Sequence, residues 1–191
     1  MRERPSHTRG KRRRKPPRPL DRERLEELAL TYVARYATST AKLEGYLARK
    51  LRERGWSEDE PAPPDVTGIV TRHVEAGHID DAAYARTRAG SLLRRGYGNR
   101  RVEQTLYADG IEEEVRGQVR AGTARSREAA VALARRRRFG PFHRGAMDER
   151  ARERQIAAIL RAGHDFDAAR TIVSAETEVR LEEWIEEAIE Q

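Results

Sequence analysis

An all-α fold is predicted, with about nine helices in three tandem three-helix repeats forming an elongated, curved body. Three observations predict it. Apolar residues recur at intervals of three and four through most of the chain after Leu20, and no segment alternates as a strand would. Three glycines, Gly55, Gly110 and Gly163, lie 55 and 53 residues apart, and each follows an apolar residue four places earlier, Leu51, Leu106 or Ile159. Composition adds that 37% of residues are charged and only 6% aromatic, which suits slender helices that each bury one stripe better than a single thick core. Repeats of this kind stack in a row and share their apolar stripes.

The first repeat spans residues 21–79. Leu25, Leu28, Ala29, Tyr32, Val33 and Tyr36 mark one face of a helix that starts after Asp21. Thr38, Ser39 and Thr40 supply capping hydroxyls for a second, with Leu43, Leu47 and Leu51 inside it and Gly55 at its end. After the proline-broken run SEDEPAPPD, Asp65 caps a third helix carrying Val66, Ile69, Val70, His73 and Val74, which Gly77 stops.

The second repeat, residues 80–122, has the same order. Asp80 or Asp81 caps a helix with Ala85, Ala89, Leu92 and Leu93. Gly96 to Asn99 breaks it, Val102 and Leu106 mark the next, and Val115 and Val119 a third. In the third repeat, residues 123–191, a helix from Ser126 carries Ala130, Leu133 and Ala134 and breaks at Gly140-Pro141. Ile156, Ile159 and Leu160 mark another that ends at Gly163. A last helix from about Asp167 carries Ile172, Val173, Leu181, Trp184, Ile185, Ala188 and Ile189.

The net charge of +7 is unevenly placed. Residues 1–19 hold nine Lys or Arg, one Glu and four prolines, with no hydrophobic period, so residues 1–20 are expected to form a disordered basic arm. Lys11, Arg12, Arg13, Arg14 and Lys15 are its densest part. The arm reads as a solvated tail, a non-specific phosphate-binding segment or, in a eukaryotic source, a nuclear localisation signal. Residues 176–191 hold seven Glu against Arg180, an acidic helix expected either to cap the array or to mask a basic surface.

The chain has no cysteine, so disulfides and thiolate chemistry are excluded, and a reducing cytoplasm fits. No apolar run reaches the roughly 18 residues that a membrane span needs. GQVRAGTA, Gly117 to Ala124, has the glycine spacing of a phosphate loop but lacks its lysine and its preceding strand. The five histidines form no i, i+4 pair, and His73 reads as a core or rim residue. Asp80 and Asp81 read as a helix N-terminus rather than a metal-binding pair. No catalytic residue, metal ligand or cofactor site is expected.

The stretch RRGYGNRRV, Arg94 to Val102, begins like an RNA-reading strand motif, but Asn99, Arg100 and Arg101 follow where that motif needs Phe-Val, and helical periods flank it. It reads instead as a corner between helices, with Gly96 and Gly98 giving backbone freedom, Asn99 capping the next helix and Tyr97 pinning the turn. Arg94, Arg95, Arg100 and Arg101 cluster around this corner, and Arg135, Arg136, Arg137 and Arg138 crowd the corresponding one in the third repeat. With Tyr97 they are the candidate binding surface.

The string GHIDDAAYARTRAGSLLRRGYGNRRVEQTLYADGI, residues 77–111, resembles the RecX family of bacterial recombinase regulators. The resemblance rests on Gly77, Ile79, Asp80, Asp81, Tyr84, Ala85, Gly96, Gly98, Arg101, Leu106, Gly110 and Ile111. AKLEGYLARKLRERGW in the first repeat is similar to another run of that family, while residues 126–175 are a looser match. Asn99 stands where the family has proline, Val102 where it has isoleucine, and Pro61 to Pro64 disturb the start of a helix. The resemblance implies a non-enzymatic, cytoplasmic bacterial protein without cofactor, a monomer that lies in the groove of the RecA–DNA filament and bridges protomers. It would thereby restrain ATP hydrolysis, strand exchange and LexA cleavage, acting in DNA repair and SOS control. The competing reading, from charge alone, is a general DNA-binding protein that uses the arm and helix-turn-helix-like units.

Overall fold

A computed structural model describes residues 18–190. Lys11 to Lys15 of the basic arm lie outside the described residues. Among the described residues there are ten α-helices and one 3-10 turn, and no strand beyond an isolated bridge between Leu20 and Trp56. No described helix is long and apolar enough to cross a membrane.

The first three helices, α1 (Arg22–Arg35), α2 (Thr40–Arg54) and α3 (Val66–Glu75), begin at side-chain caps. Asp21, Ser39 and Asp65 accept from the amides of Arg24, Lys42 and Gly68, satisfying donors that a helix start leaves free. Leu25, Ala29, Leu43, Leu47, Ile69, Val70 and Ile79 bury themselves together. Leu20 joins them, fully buried, its amide donating to the Gly55 carbonyl at 2.9 Å and its carbonyl accepting from Ser57 at 2.7 Å. A lone leucine after four prolines has no periodicity to announce it, so its core role is visible only in three dimensions. Val74, expected on the apolar face, is 43% exposed.

The next three are α4 (Asp81–Arg94), α5 (Asn99–Ala108) and the short α6 (Glu113–Gln118). Their core gathers Ala85, Ala89, Leu92, Leu93, Val102, Leu106 and Ile111, and borrows Ala129 from the following helix. That helix, α7 (Thr123–Arg137), starts just after Gly122, earlier than the expected Ser126, and serves two cores. Its Ala130, Leu133 and Ala134 face the third one, with α8 (Glu149–Arg161) and α9 (Phe166–Ser174).

The expected single last helix is in fact two, which makes ten helices among the described residues instead of about nine. Ala175 is extended, and the Thr177 hydroxyl accepts from the Arg180 amide to start α10 (Glu178–Glu186). No glycine or proline marks that break. It lets Leu181 turn back and bury itself completely in the third core. Three cores follow one another in chain order, the second and third sharing α7, as in a stack of repeats.

Candidate functional site

The α4–α5 corner is built from its sequence in two steps. Gly96 takes a left-handed φ of 79°, its amide donates to the Leu93 carbonyl and the Tyr97 amide to that of Leu92, the paired bonds that close a helix on glycine. The same corner then docks on the loop between α8 and α9. Gly98 N–H donates to the Ala162 carbonyl at 3.0 Å, Arg100 N–H to the Gly163 carbonyl at 3.2 Å, and His164 Nε2–H to the Gly96 carbonyl at 3.0 Å. A Cβ on Gly98 would stand 2.3 Å from the Gly163 oxygen, and one on Gly96 2.7 Å from the Leu133 nitrogen, so two backbones meet where no side chain fits. RGYG is a joint between repeats, not only a turn.

Tyr97 does pin this joint, packing against both the second and third cores. Asn99 does not cap α5. Gly98 holds that position without a side-chain bond, while Asn99 Nδ2 donates to the Ala121 carbonyl at 2.9 Å and its Oδ1 accepts from the Ala121 amide at 3.0 Å. Asn99 clamps the α6–α7 connection, a long-range partnership that spacing cannot reveal. Burial lowers the His164 pKa, and the Gly96 bond and nearby Asp165 only partly oppose it, so the imidazole sits neutral in the joint.

Arg94, Arg95, Arg100 and Arg101 are all exposed around the joint. The Arg95 guanidinium lies 5.5 Å from the centre of the Tyr97 ring. Arg94 and Arg125 converge over Gly90, within 3.2 and 3.4 Å of where its Cβ would be. Arg125 lies outside the arginine runs of the sequence, and Gly90, a glycine inside a helix, is the local feature that makes room for it. Arg100 lines a groove with Arg116 and Arg120, and Glu103 pairs with Arg116 there.

The second arginine set behaves differently. Arg136, Arg137 and Arg138 are exposed at the end of α7, but Arg135 is engaged by Glu178 and Glu182 of α10 and lies over the Phe142 ring at 5.5 Å. Arg127 donates to the Trp184 carbonyl, covers its ring at 4.8 Å and stands 3.7 Å from Glu187. The acidic helix thus pairs with the chain's own α7. No hydrogen bond or ring contact among the described residues joins the two arginine sets.

A polar cluster ties the first repeat to the second. Asp80 caps α4, its carboxylate accepting from the Ala83 amide at 2.8 Å, whereas Asp81 reaches across to accept from the Thr40 amide at 2.8 Å and so caps α2. Asp109 accepts from Lys42 Nζ at 2.9 Å and from the Tyr84 hydroxyl at 2.8 Å, with Arg88 Nε 3.5 Å away, and the Ser39 hydroxyl donates to its carbonyl at 2.6 Å. Burial by itself would raise the Asp109 carboxyl, but the bonds from Lys42 and Tyr84 outweigh it and hold the group below the usual range. For Lys42 burial pulls downward, but the bonds it donates to the Tyr84 hydroxyl, at 2.8 Å, and to Asp109 win and raise it. His73 is half-buried at the edge of the first repeat, its Nδ1 2.9 Å from that of the exposed His78, so it is a rim residue and not a core one. No group of three His, Asp or Glu suited to a metal ion occurs among the described residues.

Residues 80–119 match the family model described as RecX, second three-helix domain, the segment that holds both the DD pair and the joint. The chain is 32% identical over 169 residues to the Regulatory protein RecX of Myxococcus xanthus, covering 84% of this chain and 90% of that one. It is 31% identical to the Regulatory protein RecX of Agrobacterium fabrum, covering 72% and 74%, and 28% identical to that of Mycobacterium tuberculosis, covering 84% and 91%. The crystal structure of RecX from Lactobacillus salivarius superposes with a TM-score of 0.60 at 18% identity over 81% of this chain and 95% of that one, a likeness of fold. With a match to the family's second three-helix domain and relatives alike over 74–91% of their own length, the chain belongs to the RecX family of regulatory proteins.

Proposed function

We propose that this protein binds the RecA–DNA filament and modulates it, mainly by restraining ATP hydrolysis, strand exchange and coprotease activity. It acts as a non-enzymatic cytoplasmic regulator in DNA repair and SOS control, as a monomer without cofactor. The observation that carries the reading is the exposed set Arg94, Arg95, Arg100 and Arg101, held around a joint whose backbones are in direct contact. Cations on such a frame lose little freedom when they meet a polyanionic surface, which favours binding to a nucleoprotein groove. Arg136, Arg137 and Arg138 extend the proposed surface, and Arg135 contributes less because it is already paired.

The test is RecA ATP hydrolysis on single-stranded DNA across a concentration series of this protein. Wild type is expected to inhibit at or below stoichiometric amounts, and reversal of the four arginines to Glu to abolish inhibition while the helical signal stays. Wild-type inhibition by the reversed protein would remove the joint from the interface. A second reading, a general DNA-binding protein, is favoured by the nine basic residues among the first 19. Deleting those residues is expected to weaken binding to naked DNA and to spare filament inhibition.

A further inference from the structure

The first repeat carries a column of three tyrosines that its core does not fully explain. Tyr32 of α1 stacks on Tyr46 of α2 with ring centres 4.3 Å apart and planes at 21°, and Tyr36 tilts against Tyr32 at 5.3 Å. Tyr32 and Tyr46 lean on the repeat's core, whereas Tyr36, at the end of α1, is 51% exposed. Cations stand at both ends. Arg35 lies over Tyr36 at 5.8 Å, while Arg49 and Lys50 approach the Tyr46 ring at 5.6 and 5.8 Å. One carboxylate shares the site, Glu53, which pairs with Lys50 at 2.6 Å and Arg49 at 3.8 Å and leaves positive charge in excess.

Core packing accounts for the two inner rings. It gives no role to an outer ring that is half exposed to solvent with a guanidinium over it. A ligand that fits combines flat aromatic faces with a negative charge at each step, which describes an unpaired polynucleotide strand. Duplex DNA fits less well, because its bases already stack on one another.

We propose that this ladder is a binding surface for single-stranded DNA, in which an unpaired base stacks on Tyr36 and adjacent phosphates meet Arg35, Arg49 and Lys50. The choice of DNA as the strand rests on the filament reading; the stacking surface itself does not. No arginine of the α4–α5 joint takes part.

The experiment measures anisotropy of a labelled oligo-dT with the full chain and no recombinase, so that its outcome is independent of filament inhibition. Base stacking on an aromatic ring contributes about 1–3 kcal/mol, so Tyr36→Ala should raise Kd by about 5- to 150-fold, and Tyr36→Phe, which keeps the ring, should not. An abasic oligomer of the same length should bind wild type as weakly as oligo-dT binds the alanine variant, and this arm needs no mutation. Equal affinity of wild type for abasic and normal strands, or no change in Tyr36→Ala, would overturn the stacking surface. Tighter binding to oligo-uridine than to oligo-dT would overturn the assignment to DNA.

Discussion

Replacing Gly98 by alanine puts a methyl carbon 2.3 Å from the Gly163 oxygen and 2.5 Å from its carbonyl carbon, on a backbone that cannot retreat without opening the joint. The φ of Gly98, −82°, suits alanine, so the conflict is one of contact and not of conformation. Overpacking a tight contact costs about 1–3 kcal/mol. The bonds from Gly98 to Ala162 and from Arg100 to Gly163 add about 0.5–1.5 kcal/mol each if they break, for a total of about 2–6 kcal/mol. For a chain of this length each kcal/mol lowers Tm by about 2–4 °C, so a mid-range loss of about 4 kcal/mol predicts a fall of about 8–16 °C.

Two tryptophans sit at opposite ends of the stack, Trp56 against the first core and Trp184 against the third. Read in Trp56→Phe and Trp184→Phe backgrounds, urea unfolding should show the third repeat destabilised more than the first, since the joint holds the second to the third. Gly45→Ala is the control. Gly45 lies inside α2 with nothing within 4 Å of a Cβ, so alanine there should stabilise by about 0.5–1 kcal/mol. If Gly98→Ala melts with the wild type, or if both transitions shift equally, the account of the joint as a backbone-to-backbone contact is wrong.

At the first junction, Asp109→Ala removes the acceptor of Lys42 and Tyr84 and should cost about 1–3 kcal/mol by denaturant titration, moderated because solvent still reaches Lys42. The folded pKa of Asp109 is depressed, so its contribution is present above the ordinary carboxylate range and is lost as pH falls through the lower folded value; Asp109→Asn should flatten that acid limb. Asp80→Ala and Asp81→Ala should each cost about 1 kcal/mol, yet hydrogen exchange should rise at the Ala83 amide in the first and at the Thr40 amide in the second. His164 is held below its ordinary pKa by burial, so the unfolded chain takes up the proton first and stability should decline as pH drops below about 6.5. His164→Gln, which keeps a donor for the Gly96 carbonyl, should reduce that slope, while His73, shifted the same way, keeps a part of it.

How much of this was legible depends on the range of the interaction. The helices follow from local rules: Leu25 and Ala29, Leu43 and Leu47, Leu92 and Leu93 announce buried faces through their spacing, and Asp21, Ser39, Asp65 and Asp80 announce helix starts because a cap bonds three residues ahead. The break at Ala175 has one weak local sign, the capping Thr177, and no glycine or proline to enforce it; the burial of Leu181 decides it. The candidate surface was half legible. Its arginines were countable, but whether each is free or paired depends on which helix returns to face it, as Glu178 and Glu182 do to Arg135.

By itself, the sequence determined the all-helical class, the three-fold repetition, the positions of most helices and, through the residues from Gly77 to Ile111, the family. Only the tertiary structure decided what the corner residues do. Gly98 makes room for Gly163, Asn99 holds Ala121, and Asp81 caps a helix of the preceding repeat. Periodicity and capping are properties of neighbours along the chain, whereas a joint between repeats is made by residues about 65 positions apart, such as Gly98 and Gly163, whose meeting no local rule encodes.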